Sequence, residues 1–257
     1  MLTAITRAVS PTINRCELSF RERQLIDVQR AVEQHRRYEA CLEELGASVI
    51  SLPAEPELPD AVFVEDPAVV VDEVAVIARL GAESRRPEAG SLALVLRQFR
   101  ELRWMQAPAT LEGGDVVRAG RTLFVGVSGR TNAAGVEQLA DALQPFDYDV
   151  KAVEVRGCLH LKSACSYLGD GAMLVNREWV DCAALEGYRL VEVSADEPEA
   201  ANVLTIGDAA MVADCFPGTA RILEGLGWRV KALDNSELMK ADAGMTCSSL
   251  VFEHGGI

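Results

Sequence analysis

Short apolar runs alternate along this chain with longer stretches in which apolar residues recur at helical spacing. Residues 47–52, 68–72, 74–78, 122–126 and 172–175 are brief, almost continuously apolar and rich in valine, which predicts buried strands. Between them, residues 20–45 have apolar positions at helical intervals and end at Gly46, a residue favoured just past a helix C-terminus. Residues 90–104, 133–143 and 218–226 read the same way. The alternation predicts an α/β protein. A helix followed by Leu-Gly and then a strand recurs at residues 41–50 and 221–230, a hint of repeated strand-and-helix units, although identity between the copies is too low to establish duplication. No low-complexity segment or long linker interrupts the chain, so residues 1–257 are read as a single domain, with residues 53–59 its most loop-like stretch.

Charge narrows the partners. A formal net charge of -14, with no basic run, argues against nucleic acid and favours small cationic ligands. No apolar run approaches the roughly 20 residues that span a bilayer, and the first residues lack the features of a secretory signal, so no membrane partner is expected. Seven cysteines without paired spacing suit reduced thiols, and the expected location is the cytoplasm. Oligomeric state is left open, a homodimer being the assembly considered.

Chemistry concentrates in a few segments. Cys247 lies where a turn leads into an apolar stretch expected to be a strand, although a small buried hydrophobe is the ordinary use of a free cysteine. Cys16, Cys41, Cys158, Cys165, Cys182 and Cys215 have weaker surroundings and read as packing residues. Of three histidines, His35 sits in a charged helical run that looks solvated and His254 lies near the C-terminus. His160 falls in a strand-like apolar segment beside Lys162, where its ring needs a partner such as a carboxylate.

In Leu111-Glu-Gly-Gly-Asp-Val116, Glu112 is suited to orienting His160, although a plain Gly-Gly-Asp turn would look the same. Glu65 and Asp66 close an apolar run and would repel each other without a cation beside them; the plain alternative is a solvent-facing turn before Pro67. Arg85 and Arg130 add fixed positive charges suited to a substrate carboxylate. A guanidinium carbon is electron-rich. Attack on it calls for a soft nucleophile, an acid for the departing amine and anions around the cation, and Cys247, His160, Glu65, Asp66 and Glu112 match that list.

Taken together, Asp60-Ala-Val-Phe-Val-Glu-Asp-Pro67, Gly81-Ala-Glu-Ser-Arg-Arg86, Glu112-Gly-Gly-Asp115, Arg130-Thr-Asn132, Leu159-His-Leu-Lys162 and Gly244-Met-Thr-Cys247 resemble, in order, the dimethylarginine dimethylaminohydrolase family of the guanidine-modifying pentein superfamily. The resemblance implies a pentein fold of five ββαβ-type repeats, arranged as an α/β propeller around a central active site. It implies Cys247 as nucleophile, His160 as general acid and base, and Glu112 as the acid that positions His160. Asp66 with Glu65 would hold the guanidinium, and Arg85 and Arg130 the α-carboxylate end. Asp60, Phe63 and the Ala241 backbone would make further substrate contacts, with Leu18 on a mobile N-terminal flap. The implied reaction turns methylated arginines into citrulline and an alkylamine through an S-alkylthiouronium, with no metal and no cofactor. The alternatives are an arginine deiminase-like enzyme acting on free arginine and an inactive protein that binds arginine-like ligands.

Overall fold

The structure, a computed structural model, describes residues 1–255. The chain forms two compact units: Asp66–Asn202, and Met1–Glu65 with the chain from Val203 onward. No helix among the described residues is long and apolar enough to cross a membrane.

Both units are built from one device. An antiparallel pair of strands is followed by a crossover that returns a third strand parallel to the second, because parallel neighbours cannot be joined by a tight hairpin. In Asp66–Asn202, Ala68–Val70 pairs with Val74–Ile77, and helix Glu88–Leu96 leads to the parallel strand Glu101–Trp104. Val116–Ala119 and Thr122–Val127 likewise pair, and helix Ala133–Leu143 leads to Asp149–Glu154. Cys165–Gly169 and Ala172–Val175 form the third pair, whose crossover to Arg189–Glu192 carries only the 3₁₀ turn Cys182–Leu185. Successive side chains on a strand point to opposite faces. Accordingly, Leu123 and Val125 pack with Leu139, Leu143 and Val76, while Phe124 joins Met173, Val175 and Leu185 in a second cluster.

The other unit repeats the device twice. Leu204–Ile206, Ala209–Ala213, helix Pro217–Gly225 and Arg229–Leu233 follow in order. Leu2–Arg7 continues through helix Val28–Glu44 to Ser48–Leu52, but its antiparallel partner is Leu250–Glu253 from the far end of the chain. Five three-stranded sheets result, and the faint helix–Leu-Gly–strand signal at residues 41–50 and 221–230 marks two of their crossovers.

Several expected boundaries are corrected. Residues 20–27 are not helical: Asp27 caps the helix by accepting from the Gln29 and Arg30 N–H groups, while Asp242 takes the N–H groups of Ser19, Phe20 and Arg21. Residues 90–104 divide into the end of a helix and a strand, since a crossover and its buried strand share an apolar character that periodicity does not separate. His35 is buried rather than solvated, its Nε2 3.4 Å from Glu39 and its ring against Tyr38.

Gly135 lies in the first turn of helix Ala133–Leu143, where a Cβ would stand 2.0 Å from the Thr110 carbonyl oxygen. Alanine in a helix ordinarily gains up to about 1 kcal/mol over glycine. Here Gly135→Ala is expected to destabilise instead, lowering the midpoint of urea unfolding; a raised midpoint would mean that the 110–135 contact yields freely.

Candidate active site

The acid and base half of the chemistry lies in Asp66–Asn202. Glu112 is fully buried between an extended stretch and the 3₁₀ turn Gly113–Asp115. Its Oε1 accepts from the Gly81 N–H at 3.1 Å and from Arg130 Nη1 at 3.3 Å, and its Oε2 accepts from His160 Nε2 at 2.8 Å. His160 is therefore not in a strand, as its apolar neighbours suggested. It is the extended residue that precedes the short helix Leu161–Ala164, and its Nδ1 faces Asp66 Oδ1 at 4.0 Å.

Gly114 is required by this crowding: a Cβ there would come within 2.5 Å of His160 Nδ1 and 2.9 Å of Asp66 Oδ1. The glycine pair flanked by acids thus serves close packing, and Asp66 is fastened by the Gly114 N–H and by Arg85 Nη1 at 2.8 Å. Arg85 also grips Glu88 through Nε and Nη2.

The charges set the protonation states. Burial alone would lower the pKa of His160, but Asp66, Asp115 and Glu112 raise it from 6.5 to about 9, so the ring is an imidazolium at neutral pH. Burial alone would raise Glu112, but His160, Arg85 and Arg130 hold it well below the usual carboxylate range. Donor atoms of Asp66, Glu112 and His160 lie within 4.8 Å of one another, close enough for a metal ion. Arg85, Arg130 and His160 already occupy oxygens of Asp66 and Glu112, so we identify no metal ligands among them.

The thiol lies in the other unit. Cys247 is buried in the turn that precedes strand Leu250–Glu253, with the Gly244 N–H directed at its sulfur at 3.2 Å. Its carbonyl accepts from the Glu65 N–H, and Thr246 donates its hydroxyl to Glu65 Oε2 at 2.7 Å. Ser249, one residue before the strand, pairs with the Tyr38 hydroxyl at 2.6 Å. Phe63, Ala241 and Cys247 belong to one apolar cluster, against which Leu18 packs. Asp60 accepts from the Glu17 N–H. Residues 60–67, read as an apolar run ending like a strand, form a buried chain of turns.

Sequence reasoning assigned no role to Asp115, Glu88, Ser128, Thr131 and Thr246, all of which hold site residues. Asp115 was visible as the second acid of its motif, and Ser128 and Thr131 as hydroxyls flanking Gly129-Arg130; nothing in a string of residues tells which hydroxyls turn inward.

Because the folded pKa of His160 exceeds its ordinary value, its stabilisation is full below about pH 6.5 and is lost as pH rises through about 9. Unfolding free energies measured from pH 6 to 10 are expected to fall more steeply in the native chain than in His160→Gln, by on the order of 3 kcal/mol across the range. Parallel curves would show that the imidazolium is not specifically stabilised.

A sequence model of the arginine deiminase family matches residues 51–184. The N(G),N(G)-dimethylarginine dimethylaminohydrolase of Streptomyces coelicolor is 39% identical over 248 residues, covering 96% of this chain and 95% of that protein. Among solved structures, a Pseudomonas aeruginosa enzyme of this name, in a cysteine-to-serine variant complexed with citrulline, superposes with a TM-score of 0.94 at 30% identity, covering 98% of this chain and 100% of that one. A histidine-to-glycine variant of a dimethylarginine dimethylaminohydrolase, solved as an adduct with S-methyl-L-thiocitrulline, superposes with the same TM-score, identity and coverage. With the five-sheet pentein fold and the site segments in the same chain, these similarities establish that the chain belongs to the dimethylarginine dimethylaminohydrolase family.

Proposed function

We propose that this chain hydrolyses Nω-methylated arginines to citrulline and dimethylamine or methylamine, using Cys247 as nucleophile, His160 as acid and base, and Glu112 to hold His160. The observation that carries this reading is the His160–Glu112 pair: a fully buried carboxylate 2.8 Å from an imidazole that is charged at neutral pH. Such a ring can release a proton to a departing amine. Related structures support it, one complexed with citrulline and one an adduct with S-methyl-L-thiocitrulline.

On this reading residues 1–257 act as a single catalytic domain. The bound guanidinium favours the Cys247 thiolate, as does the Gly244 N–H aimed at the sulfur. The thiolate attacks the guanidinium carbon, giving a tetrahedral adduct. His160 passes its Nδ1 or Nε2 proton to the leaving nitrogen, the C–N bond breaks and the alkylamine departs, leaving an S-alkylthiouronium. Neutral His160 then takes one proton from water, whose oxygen attacks the same carbon; the adduct's remaining hydroxyl proton passes to solvent as the C–S bond breaks, and citrulline leaves with the thiolate and the imidazolium restored. No step calls for a cofactor.

Substrate contacts follow more coarsely. Asp66 is the carboxylate assigned to the guanidinium, with Asp60, Phe63, Leu18 and the Ala241 carbonyl lining the site. Glu65 receives a different task here, since its Thr246 bond steadies the turn that carries the nucleophile. Arg85 is engaged on both edges by Asp66 and Glu88, so a substrate carboxylate reaches it only by displacing one of them. We therefore give it the task of fixing Asp66 and assign the substrate's α-carboxylate to Arg130. A cytoplasmic setting suits seven cysteines that form no disulfide among the described residues.

The arginine deiminase family match keeps free arginine as the competing substrate. Citrulline release from asymmetric dimethylarginine, monomethylarginine and arginine is the test, with Cys247→Ser in parallel. Methylated substrates are expected to turn over at least about tenfold faster than arginine, with Cys247→Ser at background and His160→Gln down by about 10²- to 10⁴-fold. Preference for arginine makes the enzyme a deiminase; binding without turnover makes the chain a ligand-binding protein.

A further inference from the structure

We propose that Asp115 is a positioning residue for His160, joining the His160, Arg130 and Glu112 segments through one buried carboxylate and adding its negative charge to those around the imidazole. The carboxylate is fully buried. Its Oδ1 accepts from the Leu161 N–H at 2.9 Å, the first amide after His160. Its Oδ2 accepts from the hydroxyls of Ser128 at 2.7 Å and Thr131 at 2.6 Å, which flank Arg130. Thr131 in turn accepts from the Glu112 N–H at 3.1 Å. Three segments separated in sequence are thus fixed to each other at one side chain.

The direction of these bonds gives the carboxylate its charge. Ser128 Oγ accepts from the N–H groups of Arg130 and Thr131, and Thr131 Oγ1 from that of Glu112. Both hydroxyls direct their protons toward Asp115. Burial raises the pKa of Asp115 above the ordinary aspartate value, and the charge of His160, the two O–H donors and the Leu161 N–H oppose it by favouring the ionised carboxylate.

The charges around His160 can be named from each packed segment. Asp66 lies 4.0 Å from Nδ1 and Glu112 2.8 Å from Nε2. Arg85 and Arg130 oppose them from the far side of Glu112, at 3.9 Å and 3.3 Å from its oxygens. Cys158 donates its thiol to the His160 carbonyl, and Lys162 follows two residues on. Asp66 and Glu112 are each shared with a guanidinium group, whereas Asp115 accepts from two hydroxyls and one amide. Its charge therefore reaches the imidazolium less compensated than theirs, and electrostatic attraction from Asp115 ranks beside that from Asp66 in keeping the ring protonated.

The inference rests on His160 being the acid and base of the proposed reaction, but its test reads a proton and not turnover. The chain has three histidines, so the ring Cε1–H signals in a proton NMR titration are few enough to assign through His160→Gln. In Asp115→Asn the His160 midpoint is expected to fall by about one pH unit, with His35 and His254 unmoved. The alkaline limb of any methylarginine pH–rate profile should move with it. A residue that only braced the turns would lower stability and leave the midpoint in place, so a midpoint within about 0.2 unit of the native value overturns the proposal.

An asparagine amide would face two hydroxyls that already accept, so this variant is expected to be less stable and could fail to fold. The second measurement uses the native chain with ¹³C-labelled aspartate carboxyls. The Asp115 signal is expected to be that of a carboxylate from about pH 6 to 10, with a small step at the His160 midpoint. A protonated Asp115 above about pH 7, or no step, overturns the proposal as surely. Failure of both measurements alongside citrulline formation would remove Asp115 from the account and leave the reaction; the shift without turnover would do the reverse.

Discussion

A buried imidazolium is tenable only where carboxylates outbid its desolvation, and the 66–202 unit is arranged around that requirement. Asp66, Glu88, Glu112 and Asp115 are all buried, and they face two guanidinium groups and one imidazolium. The cluster is one positive charge short of neutrality. Removing either partner of such a buried pair leaves an uncompensated charge, which is costlier than never having built the pair. On the proposed reading the same deficit suits one more cation, and a guanidinium group is planar, permanently charged and able to bond to carboxylates along its edges. What stabilises the fold around His160 and what would draw in a substrate are therefore the same imbalance.

The thiol is held by different means. Main-chain and hydroxyl groups position the turn at residues 244–249, through the Gly244 N–H on the sulfur, the Glu65 N–H on the Cys247 carbonyl and the Tyr38–Ser249 pair. A nucleophile that must attack, become covalently loaded and be released benefits from a fixed backbone and from charge that arrives with the substrate. An imidazole that must hand over a proton and recover one needs charge that stays. The contrast between the two halves follows from those two tasks.

Much of this was legible in the residues. Alternating apolar runs and helical stretches gave the α/β class, and the Leu-Gly joints marked crossovers that the structure repeats. Less legible was anything decided by a partner far along the chain. Residues 20–27 carried helical spacing, yet Asp242, more than two hundred residues away, takes their N–H groups. His35 looked solvated because its neighbours are charged, but its own face of the helix is the buried one. Arg85 looked ready for a ligand carboxylate, and Glu88, three residues later on the next helix, grips it first. Local pattern reports propensity and period; it does not report which acid claims which base.

The position of the chemistry within the repeats has a physical reason. Asp66 precedes strand Ala68–Val70, Glu112 precedes Val116–Ala119, His160 precedes Cys165–Gly169 and Cys247 precedes Leu250–Glu253, each by two to five residues. In every case the residue sits on the turn that enters the first strand of an antiparallel pair. The first strand is the outer one of its three-stranded sheet, so the chain reaching it is free of ladder hydrogen bonds and must satisfy its amides with side chains. Side chains of these turns gather here: Asp66 takes the Gly114 N–H and Asp115 the Leu161 N–H, each on the entry turn of another repeat, while Glu112 takes the Gly81 N–H. The remaining repeat enters Leu204–Ile206 through Asn202, whose amide is spent on the Lys162 carbonyl, and it brings no nucleophile, acid or base. A repeat whose entry turn demands polar partners offers the same opening for chemistry each time, and four of the five have taken it.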